Sequence, residues 1–239
     1  MTINGYYNEF DFIKILNNKY VFEINVKMKG LLNRIFGKIN ENDYIYCYKS
    51  FKTDKADIVI VINNIKKYIS IKSGKNNSVH LEHIKEFEKF LEDCMIPQKI
   101  IEIYKNYHYA MDSDGKRLNA KEYQKNNEED ILIFNNYINK NDIVKKAINR
   151  FLFKGIHDYN NYVDGVIYGT SDNFYVFTRQ EIIDFLMEKM CENFNCIHFS
   201  SLCLQPWTRN LNYNSKYEYR RDYVQVKWYR LEELIDHIN

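Results

Sequence analysis

Asp57, Ser70 and Lys72 are the residues of this chain whose types and spacing are best suited to chemistry. Asp57 opens an apolar run, Ile58 to Ile62, and a second run, Tyr68 to Lys72, follows the pair Asn63-Asn64. Both runs have the length and β-branched content of strands, and an Asn pair between them is hairpin chemistry. With a two-residue loop Ile62 faces Ile65, and counting outward sets Asp57 opposite Ser70. Lys72 shares that face because side chains alternate with period two. A carboxylate, a hydroxyl and an ammonium then meet at one end of an otherwise apolar hairpin. Burying such a cluster is costly without a partner, and a metal ion with a phosphate would serve.

The element after the hairpin must complete the cluster. Beyond Gly74 and the polar Lys75-Asn76-Asn77, Ser78 is a good helix N-cap, and Ile84, Phe87, Phe90 and Leu91 form an apolar stripe. On that reading Glu82 and Glu86 lie one helical turn apart on one side. Either carboxylate, aimed back at Asp57, gives the hard oxygen ligands that a water-activating divalent cation needs, with Lys72 near the phosphate. These are the parts of metal-assisted phosphodiester hydrolysis. Taken singly, each residue also fits a plain structural role: a strand-end Asp, a half-buried Ser, a solvated Lys and the wet face of an amphipathic helix.

The stretch from about residue 43 to residue 92 resembles the PD-(D/E)XK nuclease superfamily, which includes many type II restriction endonucleases. Asp57 heads one strand and a three-residue element ending in Lys72 lies on the next. Two positions depart from the pattern: Ala56 replaces the proline, and Ser70 stands where the second acid would be. Some restriction endonucleases resemble this variant, with a strand serine and a glutamate from the next helix. The resemblance implies Asp57 and Glu82 or Glu86 as metal ligands, Lys72 as the catalytic lysine and Mg²⁺ or Mn²⁺ as cofactor. It also implies DNA as substrate, a homodimer, and a further glutamate on the preceding helix, for which Glu23 is a weaker candidate. The implied fold is mixed α/β, a restriction-endonuclease-like core of sheet flanked by helices. Serine at position 70 leaves open a catalytically inactive nucleic-acid-binding module of the same fold. An RNA-cleaving, toxin-type nuclease is another alternative, and an interaction protein with an incidental cluster is a third.

The remaining chain is read around that core, as one domain over 1–239 with the nuclease-like part at 19–92. A helix is expected from Lys19 to Phe36, then a strand at Tyr44 to Tyr48. Apolar spacing predicts a helical layer over 97–153, in segments near 97–107, 117–125, 128–138 and 141–153. A second β/α part follows over 162–239. It starts with a hairpin, Asp164 to Gly169 and Phe174 to Phe177, and then a helix capped by Thr178 and Glu181. From Leu204 to Arg230, basic and aromatic residues are interleaved, so Arg209, Lys216, Arg220, Arg221, Lys227 and Arg230, together with Lys75, are candidate phosphate contacts.

Composition bounds these readings. With 45% hydrophobic and 28% charged residues the chain is of ordinary folded type, and its 8 Gly and 2 Pro leave little room for long linkers. A net charge of +2 neither favours nor excludes DNA, whose binding needs basic residues gathered on one surface. No apolar stretch reaches spanning length and the first residues carry no signal-peptide core, so no membrane partner and a cytoplasmic location are expected. Five cysteines make no disulfide framework. Cys191, Cys196, His198 and Cys203 match no familiar zinc spacing, and buried thiols account for them better.

Overall fold

Asn63 and Asn64 both take positive φ, 50° and 64°, as the tight hairpin turn favoured by twisted strands requires. They set the register that the rest of the first sheet inherits. The fold is described by a computed structural model covering residues 3–51, 55–73, 78–110, 120–156, 161–191, 196–206, 219–229 and 231–238. In chain order the elements begin α1 (Ile3–Leu16), β1 (Lys19–Tyr20), α2 (Val26–Phe36), β2 (Tyr44–Lys49), β3 (Ile58–Ile62), β4 (Ile65–Lys72), β5 (Ser78–His83) and α3 (Ile84–Asp93). The helical stretch is α4 (Gln98–Tyr109), α5 (Ala120–Asn126), α6 (Glu128–Ile138), α7 (Asn141–Ile148) and a π-helical segment, Asn149–Lys154. The chain continues through β6 (Gly165–Gly169), β7 (Phe174–Thr178), α8 (Arg179–Glu188), β8 (His198–Phe199), β9 (Leu202–Pro206), β10 (Tyr223–Trp228) and α9 (Glu233–Ile238).

Contacts gather the chain into two compact units. The first holds Met1–Asn77, Leu152–Asp184 and Leu234–Asn239; the second holds Ser78–Phe151 and Phe185–Glu233. In the first unit a six-stranded mixed sheet runs β1-β2-β3-β4-β6-β7, antiparallel except for the parallel pair β4–β6. One face is apolar at every second residue: Ile45 and Cys47 of β2, Ile58, Ile60 and Ile62 of β3, Ile69 and Ile71 of β4. That face packs on Phe12 and Leu16 of α1 and Met28, Leu31 and Leu32 of α2. Burying side chains of this kind stabilises by roughly 1.5–3 kcal/mol each. Gly165 begins β6 where a Cβ would lie 2.6 Å from the Ile35 side chain, so helix and sheet approach closely only with glycine there.

Two expected boundaries move. The segment from Lys19 is not one helix to Phe36. Lys19 and Tyr20 pair with Ile45 and Tyr44 as a short edge strand. The helix starts at Val26, where the Asn25 side chain accepts from the Met28 N–H at 2.9 Å. Ser78 caps no helix either: Ser78–His83 is a strand, because β10 provides a ladder from His83↔Tyr223 to Ser78↔Lys227. The helix begins only at Ile84, with His83 Nδ1 accepting from the Lys85 N–H at 3.2 Å.

The second unit carries a four-stranded antiparallel sheet, β5-β10-β9-β8. Its core is aromatic. Phe87 and Phe90 of α3 meet Phe151 and Phe199 with ring centroids 5.9–6.2 Å apart, and Tyr104 of α4 lies 4.6 Å from Phe87. The helices of the 97–153 stretch and the β6–β7 hairpin stand where hydrophobic periodicity put them. The Thr178 capping box also forms: the Thr178 N–H donates to Glu181 Oε2 at 2.8 Å. Cys196 and Cys203 are paired as a disulfide beside the β8–β9 hairpin, Cα atoms 6.6 Å apart, rather than remaining buried thiols. Cys47 and Cys94 are free and buried.

Candidate active site

The hairpin β3–β4 brings Asp57, Ser70 and Lys72 together. Its ladder runs from Ile62↔Ile65 to Ile58↔Ile69, so the next position outward sets Asp57 beside Ser70. The Asp57 N–H donates to the Ile69 carbonyl at 2.8 Å, which locks the backbone of the pair. Asp57 Oδ2 then accepts from the Ser70 hydroxyl at 2.9 Å and from the Ile71 N–H at 2.6 Å. Lys72 Nζ stands 3.6 Å from the same oxygen. Ser70 is buried, while the Asp57 and Lys72 side chains keep 14% and 23% exposure, enough to meet a ligand from solvent.

The two carboxylate oxygens differ. Oδ2 is held by two hydrogen bonds and an ammonium, which fixes the rotamer and offsets its charge. Among the described residues none donates to Oδ1. A hard cation such as Mg²⁺ is commonly held by one or two carboxylates plus water and substrate phosphate oxygens, so a single free oxygen fits that mode. Among the described residues no group of three His, Cys, Asp or Glu side chains could enclose a metal by itself.

A second charged pair adjoins this one and escaped the sequence reading. Lys49, the last residue of β2, follows Ile45 and Cys47 on the core side and is ion-paired with the buried Glu9 of α1. Burial lowers the Lys49 pKa, and the charge of Asp57 opposes that shift. The signal available in the sequence was a lysine occupying an inward position of a strand.

Glu82 and Glu86 are placed differently from the expectation. Glu82 lies on β5, Glu86 in the first turn of α3, so they are not one turn apart on a helix. The buried Glu82 carboxylate takes Arg150 Nε at 3.2 and 3.1 Å and Arg150 Nη2 at 2.5 Å, with His80 Nε2 at 3.5 Å. Burial would raise the Glu82 pKa, but the hydrogen bonds and charges of His80 and Arg150 outweigh it, and the pKa lies below its ordinary value. Arg150 in turn stacks 5.2 Å from the Phe90 ring centroid. Glu86 is exposed, and its backbone carbonyl accepts from Arg150 Nη2 at 3.1 Å. Glu23 closes a local turn, its Oε2 accepting from the Tyr20 N–H at 2.6 Å.

The candidate phosphate contacts are partly described. Lys75, Arg209, Lys216 and Arg230 lie outside the described residues. Arg220 and Arg221 are half-buried beside β10, Arg220 lying 5.3 Å from the Tyr219 ring centroid. Lys227 projects from β10 in alternation with the buried Val226 and Trp228.

The fold is that of a restriction endonuclease. One solved structure similar to this chain is that of restriction endonuclease MspI in complex with its cognate DNA, at TM-score 0.56 and 9% identity, over 91% of this chain and 87% of that one. No family model and no curated protein matches the sequence.

Proposed function

We propose that the chain is a metal-dependent endonuclease that hydrolyses phosphodiester bonds in DNA, as a restriction endonuclease of type II would. The observation that carries this reading is the convergence of Ser70, Ile71 N–H and Lys72 on one oxygen of Asp57, the other taking no donor among the described residues. The likeness to an endonuclease solved with DNA supports it. Asp57 Oδ1 would hold Mg²⁺ or Mn²⁺, which when bound supplies a water of lowered pKa and Lewis acidity at the phosphate. Ser70 and the Ile71 N–H keep the carboxylate oriented. The Lys72 ammonium offsets charge developing on the phosphate oxygens. Of the two glutamates that the sequence offers as second ligand, Glu82 is engaged by Arg150. Basic residues of the 204–230 segment would contact the backbone, and two copies would act on a symmetric site.

Plasmid and genomic DNA incubated with wild type and Lys72→Ala, with and without Mg²⁺ or Mn²⁺, tests the reading. It expects metal-dependent cutting that falls by two or more orders of magnitude in the variant. Cutting that survives the substitution overturns the assignment of the site. Parallel arms with single-stranded DNA and RNA decide the substrate.

A second reading has two observations in its favour. Glu82 is locked in an ion pair and no three-ligand cluster stands among the described residues. A nuclease-fold module that binds DNA without cutting it is consistent with both. It predicts DNA binding by wild type with no cleavage at any divalent-metal concentration.

A further inference from the structure

β7 is the outer strand of the six-stranded sheet, and the reading above makes no use of its edge. The backbone of the β6–β7 hairpin fixes which groups face outward. Thr170 and Asn173 exchange both backbone hydrogen bonds, and at the other end the Arg179 N–H donates to the Asp164 carbonyl. In the register between these ends the exchanging pairs are Tyr168 with Tyr175 and Val166 with Phe177. The N–H and C=O groups of Phe174, Val176 and Thr178 therefore point away from β6. The Thr178 N–H is taken by Glu181 Oε2 at 2.8 Å. Among the described residues nothing hydrogen-bonds to the outward N–H and C=O groups of Phe174 and Val176.

An edge with unpaired backbone groups is a template for a further strand. A groove of about 270 Å³ runs beside this one, lined by Gly30 and Leu31 of α2, by Phe174 and Val176, and by Ile235 of α9. A Cβ added at Gly30 would meet nothing within 4 Å, so the helix side of the groove stands open. The cations that flank it are engaged within the chain, Arg34 by Glu181 at 2.6 Å and Lys27 by the Asp172 carbonyl at 2.8 Å.

We infer that a second copy of this chain docks here, β7 against β7 in antiparallel register about a two-fold axis at Tyr175. The six-stranded sheets of the two copies then join into one. The inference deepens the endonuclease reading and rests on it for a symmetric duplex as target. Three observations choose this occupant. First, an axis at Tyr175 sets Phe174 of one copy opposite Val176 of the other. The outward groups of each copy are then all satisfied by the same groups of its mate, the self-complementarity that a two-fold interface requires. Second, the axis falls on the rung of the candidate site, because Lys72 aligns with Tyr168 and Tyr168 with Tyr175. A two-fold axis normal to the sheet keeps both Lys72 side chains on one face. Five strand spacings separate them, about 24 Å, or roughly seven base-pair steps of duplex. Two centres so placed can reach both strands of one duplex. Third, the free edge is short, closed by Glu181 at one end and by the Thr170–Asn173 turn at the other. A longer foreign strand would gain no more bonds than the copy does.

The test reads self-association of the full chain, with neither metal nor DNA. Sedimentation equilibrium compares wild type, Val176→Pro and Gly30→Lys. Proline at 176 removes a donor that faces away from β6, so the β6–β7 ladder keeps its bonds. Lysine at 30 enters open space within one copy but puts charge into the groove between two. Wild type should dimerise, and each variant should weaken the dimer about ten-fold or more. Tyr175→Cys reports the register. Residues on the axis have Cα atoms about 4.5 Å apart, within disulfide reach, so diamide should link the two copies. Thr178→Cys, off the axis, should stay unlinked. Wild type that remains monomeric at its highest soluble concentration overturns the inference. So does a dimer that both variants leave intact and that Tyr175→Cys fails to link, which would assign self-association to another surface. Should Val176→Pro fail to fold, Gly30→Lys and the cross-link decide. A dimer weakened by these variants, combined with no metal-dependent cutting by wild type, would sink the nuclease reading and leave the interface standing, so the two failures are distinguishable.

Discussion

Asp57 and Glu82 are two acids of similar sequence context with opposite environments. Asp57 keeps one oxygen without a donor among the described residues, whereas Glu82 has both oxygens on Arg150 beside the rings of Phe90 and Phe151. Removing one partner of a buried ion pair leaves the other charge without compensation, at a cost of about 3–5 kcal/mol. Glu82→Gln should lower stability by an amount of that order in denaturant titration, and Asp57→Asn by much less. The Glu82 pKa is depressed in the folded state, so its contribution is complete above the ordinary value of 4.5 and is lost as pH falls below it. The stability of wild type should therefore decline more steeply below that pH than that of Glu82→Gln, measured by chemical denaturation across the acid range. Asp57, Ser70 and Lys72 were legible in the sequence because their meeting depends on one short hairpin and a period of two. The Glu9–Lys49 and Glu82–Arg150 pairs were not, because each joins residues about 40 and 68 positions apart through the tertiary fold.

The elements divide on the same principle. Helices over 97–153 and the β6–β7 hairpin follow from local periodicity, and the structure has them. The strands β1 and β5 do not, since each exists only by pairing with a partner elsewhere, β2 for the first and β10 for the second. Ser78 before an apolar stripe is a fair helix signal, and it is overridden by the ladder that Tyr223–Lys227 provides. The hairpin that builds the site has its own local determinant. Asn63 and Asn64 adopt left-handed backbone that costs most side chains about 1–2 kcal/mol, and least for Asn and Gly. Asn64→Gly should hold or raise the thermal midpoint, and Asn64→Val should lower it while weakening whatever activity depends on the Asp57–Ser70 register. Equal midpoints for the two would contradict this account of the turn.

At the scale of the whole molecule, a shared fold at 9% identity fixes the placement of strands and helices but not the chemistry, which belongs to particular side chains. The restriction-endonuclease-like architecture was legible from residues 43–92 because the strand order and the acid–lysine spacing occur there together. The two-unit arrangement was not, since the first unit is assembled from three separated stretches of chain and the second from two. Tight metal binding at Asp57 should raise the thermal midpoint through linkage, in proportion to the logarithm of free metal, and this rise should vanish in Asp57→Asn. The central claim is that Asp57 and its neighbours constitute a metal-dependent phosphodiesterase centre. Its most direct test is the conversion of supercoiled plasmid to nicked or linear forms across a Mn²⁺ titration, with wild type beside Asp57→Asn. Cleavage that rises with metal in wild type and is absent in the variant is the predicted result; equal cleavage by both proteins, or none by wild type at any metal concentration, contradicts it.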